Sequence, residues 1–368
     1  MELPPTTANA KIVFQANGDE SLQALLDLIQ EARHSVDVCT YAYADDVVGR
    51  SVTKALTQCV RRGVAARVMI DAIGSLKTPG RLLHQLTDAG VQVRHFMPVL
   101  HNPLRGRTNL RNHRKLAVAD GCHFWSGGRN LAEQYFLGDG GSPPWVDLSF
   151  LIQGPIAMQA KLLFNRDWEM GNSKENQLLP NASEIVHQPN EIRAQLVPSG
   201  PDYADDTVYT LLLSGAFYAN RRILAVTPYF VPDEALLSAW CMACRRGVHM
   251  TLVVPQRSNH QLADWARERA LRELANAGAR VYLYPAMIHA KVVIIDDQLA
   301  LCGSVNLDGR SLFLNFELMT AFYGATEIAW LAAWFDKQTA QSEPYVVRPP
   351  SWGRDVFEGL VRSVGFQL

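Results

Sequence analysis

No stretch of this chain approaches the ~18 consecutive apolar residues that a bilayer-spanning helix needs, so no transmembrane segment is predicted. The first ten residues hold a single charge, Glu2, and no apolar core, so they are not expected to act as a signal peptide. Charge of one sign is missing too. The 35 basic and 36 acidic side chains leave a net charge of −1, which argues against a global polyanion clamp but permits a local basic patch. Cysteine is sparse. The six thiols, Cys39, Cys59, Cys122, Cys241, Cys244 and Cys302, sit mostly among apolar neighbours and read as buried thiols in a reducing compartment. Cys241 and Cys244 form an isolated pair inside a predicted helix, and a zinc site would need two more ligands at suitable spacing. What the chain does have is 48% hydrophobic and 19% charged residues over 368 positions. That is the composition of a globular protein with a substantial core, and it excludes disorder as the dominant state. The length suits two domains or one large one.

Strand-like and helix-like segments alternate. Residues 11–15 suggest a short strand, 21–32 a helix, 35–43 a strand and 48–62 a helix stopped by Gly63. Residues 66–70 read as a strand, 81–89 as a helix stopped by Gly90, and 91–96 as a strand. The order then returns: helix 205–220, strand 223–227, helix 234–246, strand 249–254, helix 261–277, strand 279–284. Local text returns with it, since Arg61-Arg62-Gly63-Val64 matches Arg245-Arg246-Gly247-Val248. Residues 171–192 are polar and strand-poor and read as a linker. The expectation is a duplicated α/β protein. Its first half covers 1–185, its second 186–345, and a C-terminal tail 346–368 carries a candidate amphipathic helix.

The repeat contains a polar constellation. His113-Arg114-Lys115 leads to Asp120 and then Gly127-Gly128-Arg129-Asn130; His289-Ala290-Lys291 leads to Asp296 and then Gly303-Ser304-Val305-Asn306. Corresponding positions are all 176 apart (289−113, 291−115, 296−120, 303−127, 306−130). Alternation along a strand puts His113 and Lys115 on one face, and His289 and Lys291 likewise. Asp120 and Asp296 complete the motif and stay in its candidate catalytic set. Their odd step from the histidine nevertheless points them away, so they read as mainly structural unless a bulge intervenes. The glycines allow a tight turn, after which Asn130 and Asn306 can return an amide to the lysine face.

Two histidines, two lysines and two asparagines suit a phosphodiester. Lysine and amide groups can bind the non-bridging oxygens and stabilise the pentacoordinate transition state. One imidazole can attack phosphorus while the other protonates the departing alkoxide. This chemistry calls for no metal or other cofactor. A nucleophilic imidazole needs its second nitrogen held. Candidates are Asp147, 34 residues after His113, and Glu317, 28 residues after His289, unless both are merely exposed strand-end carboxylates.

The paired motifs resemble the phospholipase D superfamily. The segments Thr227–Asp233, 287–297, 303–311 and 314–317, with Trp145-Val146-Asp147 and Gly154-Pro155 in the first half, are similar to bacterial cardiolipin synthases. The likeness runs from about residue 12 to 340. It implies two sheets flanked by helices, related by a pseudo-twofold axis, with a single active site at the junction. It further implies a ping-pong phosphatidyl transfer to phosphatidylglycerol through a phosphohistidine. In the family the first-motif histidine is the usual nucleophile, here His113, and the second the acid/base, here His289, although near-symmetry makes the roles exchangeable on paper. Lys115, Lys291, Asn130 and Asn306 carry over as phosphate ligands, and Asp147 and Glu317 as histidine orienters. Many members begin with two hydrophobic helices that this chain does not show, so it looks closer to a short form. The donor, phosphatidylglycerol or phosphatidylethanolamine, stays open.

A lipid enzyme of this kind is expected as a peripheral protein on the cytoplasmic face of the bacterial membrane, with an anionic surface as partner. Two docking elements suggest themselves. The basic segment 104–115 carries Arg105, Arg107, Arg111, Arg114 and Lys115 without an acid; these cations could serve headgroups, the substrate phosphate or solvent. The apolar positions Trp352, Val356, Phe357, Leu360, Val361 and Val364 recur at helical spacing, for an interface or for intramolecular packing. Tyr229-Phe230, at a strand end, can line the entrance or the core, and Arg310 can bind phosphate or a structural carboxylate. Two other readings remain. A nucleic-acid phosphodiesterase would need a basic groove that the neutral composition disfavours, so no nucleic-acid partner is expected. A non-catalytic lipid-binding scaffold should have lost a motif histidine or lysine, and none is lost.

Overall fold

The computed structural model describes residues 3–97, 109–170, 192–203 and 206–348. The expected linker, Arg105 and Arg107, and the amphipathic segment after residue 350 lie outside the described residues. Two mixed sheets dominate. The first runs in the order Lys11–Gln15, Ser149–Gln153, His123–Gly127, Leu116–Ala119, Ser35–Thr40, Ala65–Asp71, Gln92–Phe96. The second contains the matching series Ile192–Ser199, Glu317–Phe322, Leu299–Gly303, Val292–Ile295, Arg222–Val226, His249–Pro255, Arg280–Tyr284, with Thr7–Asn9 and Glu343–Pro344 added at its two edges. In each, the last three strands of the series are parallel and joined through helices, while the others pair antiparallel. Thr7–Asn9 pairs antiparallel with Ile192–Ser199, so the first residues of the chain belong to the second sheet.

The recurring Arg-Arg-Gly-Val text has a definite task. Helices Val47–Arg61 and Glu234–Arg245 both end beside it, and Gly63 and Gly247 take φ values of 86° and 95°, the left-handed turn that a side chain would strain. The second arginine reaches back to the carbonyls that end the preceding helix. Arg62 donates to Gln30 O at 2.7 Å, and Arg246 to Ala216 O at 2.8 Å. A cation at a helix C-terminus satisfies orphan carbonyls and complements the dipole.

Each sheet has an outer core under its own helices. A third core lies between the halves. It joins Phe124, Phe150 and helix Ile156–Met170 of the first half to Val292, Phe322 and helix Ala325–Ala340 of the second. Phe14 and Phe150 stand edge-on to Phe322 at 5.1 and 5.3 Å. Both sheets thus bury a second apolar face against each other, which is why their central strands read as unbroken apolar runs. The halves behave as one packed body, and this fixes the motif segments relative to one another.

Candidate active site

Short β-bridges exchanged between the halves build the site. Asn112 pairs with Phe316, and Val146 with Ile288. His113 N donates to Phe316 O at 2.8 Å, and His289 N donates to Val146 O at 2.6 Å. Phe316 and Val146 immediately precede Glu317 and Asp147. Each bridge therefore delivers a carboxylate from one half to the histidine of the other. His113 Nδ1 lies 2.9 and 3.0 Å from the Glu317 oxygens, and His289 Nδ1 lies 2.7 Å from Asp147 Oδ2. The orienting carboxylates are buried, not exposed strand ends, and they serve the opposite half rather than the histidine that precedes them in the same half.

His113, His289, Asn130 and Asn306 line one cavity of about 440 Å³. Lys115 Nζ donates to His113 O at 2.7 Å. Lys291 donates to His289 O, and its Nζ lies 2.9 and 3.0 Å from the two ring nitrogens of His289. Asn130 donates to Tyr135 Oη at 2.9 Å, while the Oδ1 atoms of Asn130 and Asn306 are buried without a partner among the described residues. An orphaned buried acceptor is costly, so each of these two oxygens can accept a hydrogen bond from a bound ligand or from a rearranged lysine.

Burial sets the protonation states. It pushes the His113 imidazole down to about 4, against the pull of Glu317, and His289 to about 3, with the Lys291 charge working in the same direction. It also lowers Lys115 to about 8 and Lys291 to about 7, although Glu317 and Asp147 oppose it. For Glu317 and Asp147, burial works to raise the carboxyl, but the neighbouring histidine and lysine outweigh it and the net direction is down. The resting site thus presents neutral imidazoles backed by carboxylates, beside lysines whose charge is held only weakly in the absence of a counter-charge. A phosphodiester anion would raise all four basic groups together.

The remaining motif and loop residues divide between the cavity and structural contacts. Asp120 and Asp296 do not reach the reacting groups. Both sit at hairpin turns with φ of 55° and 51°. Asp120 accepts from the amides of Arg33, His34 and Ser35 at 2.8–2.9 Å, and Asp296 from those of Asn220, Arg221 and Arg222 at the same distances. They tie the hairpin to the first strand of each parallel set, so the motif aspartate is an anchor. Of the basic segment, the described Arg111 and Arg114 each stand against a buried carboxylate. Arg111 is buried 3.7 Å from Asp71 while bordering the cavity, and Arg114 is buried against Asp167 and donates to Glu317 O at 2.9 Å. Arg310 borders the cavity and donates to Asn109 O at 3.1 Å. Tyr229 also lines the cavity, with its hydroxyl 2.6 Å from Asn259 Oδ1, whereas Phe230 is buried and stacked on Trp240.

Other residues escaped the motif reading. Tyr41 meets the His113 ring edge-on at 5.0 Å; Tyr135 does the same for His289, with Trp145 5.6 Å away. Ser304 donates its hydroxyl to Glu317 and accepts from Leu318 N at 2.9 Å. Its counterpart, Gly128, leaves room for Asp147, because a Cβ there would lie 2.2 Å from Asp147 Oδ1. The sequence signal was available in the Gly-Gly versus Gly-Ser difference, but nothing in the spacing said what it accommodated.

The architecture and paired motif segments define a phospholipase D-like protein. The sequence model of the family described as "Cardiolipin synthase, PLD-like domain" matches residues 25–168 and 217–339. Cardiolipin synthase A of Klebsiella pneumoniae (strain 342) is 33% identical over 352 residues, covering 92% of this chain and 72% of that protein. Cardiolipin synthase A of Shigella flexneri is 33% identical over 321 residues, covering 84% of this chain and 65% of its own length. The chain thus spans about two-thirds of the length of these curated relatives. The crystal structure of phosphatidylserine synthase from Haemophilus influenzae Rd KW20 superposes with a TM-score of 0.79 at 14% identity, covering 100% of this chain and 97% of that one, a likeness of fold. The chain belongs to the cardiolipin synthase family of the phospholipase D superfamily, a family of phosphatidyltransferases. Among the described residues, no helix is long and apolar enough to cross a membrane.

Proposed function

We propose that this protein synthesises cardiolipin by moving a phosphatidyl group from a donor phospholipid, phosphatidylglycerol or phosphatidylethanolamine, to a hydroxyl of phosphatidylglycerol. The observation that carries this reading is the crossed pair of His–carboxylate contacts opening into one cavity. His113 Nε2 attacks phosphorus and forms a P–N bond. The bond from phosphorus to the donor headgroup oxygen breaks, and that oxygen takes the Nε2 proton of His289, which the ring has gained from solvent once the bound phosphodiester anion raised its affinity for a proton. In the second step the acceptor hydroxyl gives its proton to His289 as its oxygen attacks, and the P–N bond breaks to restore His113. Lys115, Lys291, Asn130 and Asn306 bind the non-bridging oxygens, and Glu317 and Asp147 hold Nδ1–H of their respective rings.

The asymmetry of the pairs supports this division. Lys291 crowds both nitrogens of His289, whereas among the described residues the ring hydrogen bonds of His113 fall on Nδ1. His113 is also the more exposed of the two, at 12% against 4%. A nucleophile needs a free, accessible Nε2. The enzyme works at the surface of the membrane, and the free cysteines suit a reducing compartment on its cytoplasmic face. The test is mass spectrometry of products from purified protein, phosphatidylglycerol vesicles with or without isotopically labelled phosphatidylethanolamine, and a chelator. Cardiolipin should appear with wild type and disappear with His113→Ala. Hydrolysis of nucleic acid with no lipid product would replace this reading with the phosphodiesterase alternative.

A further inference from the structure

The cavity opens between two equivalent connections, the loop after Ala65–Asp71 in one half and the loop after His249–Pro255 in the other. Large apolar side chains face solvent on both sides. Ile73 is 44% and Leu76 74% exposed; Leu262 is 46% and Trp265 45% exposed, in the first turns of helix Gln261–Asn276. Scattered exposed apolar residues are ordinary on a protein surface. These are distinguished by continuity with the site, because Ile73 and Ala263 are themselves walls of the cavity. Exposed Lys77 and Arg257 flank them.

We propose that these two loops form a membrane-docking rim that sinks into the outer layer of an anionic phospholipid bilayer and holds the cavity mouth against it. The inference rests on the phosphatidyl-transfer reading. A phosphatidyl group has its phosphorus at the headgroup level and its acyl chains below. Lifting those chains into water to reach His113 would expose every methylene. A rim that lies in the interface removes that step, since the phosphate needs to rise only by the height of the rim. The side chains fit the place. Tryptophan favours the headgroup boundary, leucine and isoleucine the acyl region, and flanking Lys and Arg the anionic surface. The pseudo-twofold relation puts one such edge on each side of the opening, so the bilayer would meet the cavity squarely.

The test compares wild type with the double variant Leu76→Ser/Trp265→Ser, neither position lining the cavity. Co-flotation with vesicles of equal phosphatidylglycerol and phosphatidylethanolamine gives binding. Turnover is followed on the same vesicles and on short-chain phosphatidylglycerol kept monomeric. The variant should lose about tenfold or more in vesicle binding and vesicle turnover, with monomer turnover and melting temperature retained. Lys77→Glu/Arg257→Glu should weaken vesicle binding in a salt-dependent way even if the first variant folds poorly. Unchanged vesicle binding by both variants overturns the proposal. So does a wild-type dimer that the first variant dissolves without altering vesicle binding, because the rim would then cover a second copy. Wild-type protein inert on both substrate forms would instead refute phosphatidyl transfer, and co-flotation would still decide the rim.

Discussion

Replacing Glu317 by Gln removes the charge facing His113 while keeping the size of the side chain. In the proposed transfer the His113 ring passes from neutral to an N-phosphorylated cation, with its Nδ1–H proton between ring and carboxylate. Two unit charges about 4 Å apart attract by about 4 kcal/mol at an effective dielectric near 20. The contacts of 2.9 and 3.0 Å place this pair at least that close, and Glu317 is held ionised despite its burial. At about 1.4 kcal/mol per decade, Glu317→Gln should slow phosphoenzyme formation by roughly 10³. Asp147→Asn should have a comparable effect at a different point, because in that proposal Asp147 backs the acid that protonates the leaving group. The leaving group separates the two. Rapid-quench assays with an ordinary phospholipid and with a nitrophenyl phosphodiester, whose phenolate departs unprotonated, should show Glu317→Gln slow on both. Asp147→Asn should recover most of its rate, and accumulate phosphohistidine, with the aryl donor. Exchanged patterns would exchange the roles of the two histidines. Near wild-type rates in both variants would refute the crossed coupling itself.

The titrations predict a bell-shaped kcat/KM. Its alkaline limb follows loss of protons from Lys291 near 7 and Lys115 near 8, and its acid limb follows protonation of His113 near 4. Bound phosphate raises the lysines, so the alkaline limb of kcat should lie at higher pH than that of kcat/KM. Asp120→Ala and Asp296→Ala should each lower unfolding free energy by about 2–4 kcal/mol, with turnover of the folded fraction kept. For both carboxyls burial acts upward but three backbone amides hold the net value below normal; their stabilisation is therefore full above the unfolded carboxyl pKa and fades as pH falls through the lower folded value, which urea melts at neutral and acid pH would check. Gly128→Ala should displace Asp147 from His289 and cut activity about 10², the scale expected for a misplaced group. Ser304→Ala removes one hydrogen bond to Glu317 and should cost about tenfold; equal effects in a side-by-side kinetic assay would contradict the steric account of Gly128.

Much of the architecture was legible because the periodicities are local. The helices ending at Gly63 and Gly247, and the alternation of elements in both halves, follow from patterns within some fifteen residues. The constant offset of 176 revealed the duplication, and with it the residues that meet in the cavity. Pairing across the halves left no such trace. His113 finds Glu317 because residues 112 and 316 form a bridge, and no spacing in one dimension distinguishes that from pairing with Asp147. The odd step from His113 did foretell that Asp120 points away, but its partners are backbone amides and have no sequence signature. Whether Arg111 and Arg114 serve headgroups, the substrate phosphate or solvent stayed open in the sequence. Their carboxylates, Asp71 and Asp167, come from other elements, and only the fold shows that they are neutralised.

The departures from symmetry would let a duplicated unit perform the two different jobs that the proposed transfer requires at one phosphorus. A perfect repeat would give two equal imidazoles, each as ready as the other to attack or to protonate. Here one half supplies the shorter Asp147, seated against Gly128, and the other supplies the longer Glu317, steadied by Ser304. Glu317 spans His113 with both oxygens, while Asp147 spends one on Leu148 N and one on His289. Each lysine donates to the carbonyl of its own histidine, but Lys291 lies against the His289 ring as well. The nearby ammonium lowers the affinity of His289 for a proton until an anionic phosphate draws the lysine's charge toward itself. Binding of substrate would therefore arm the acid, leaving His113 to attack only when a group worth protonating is in place.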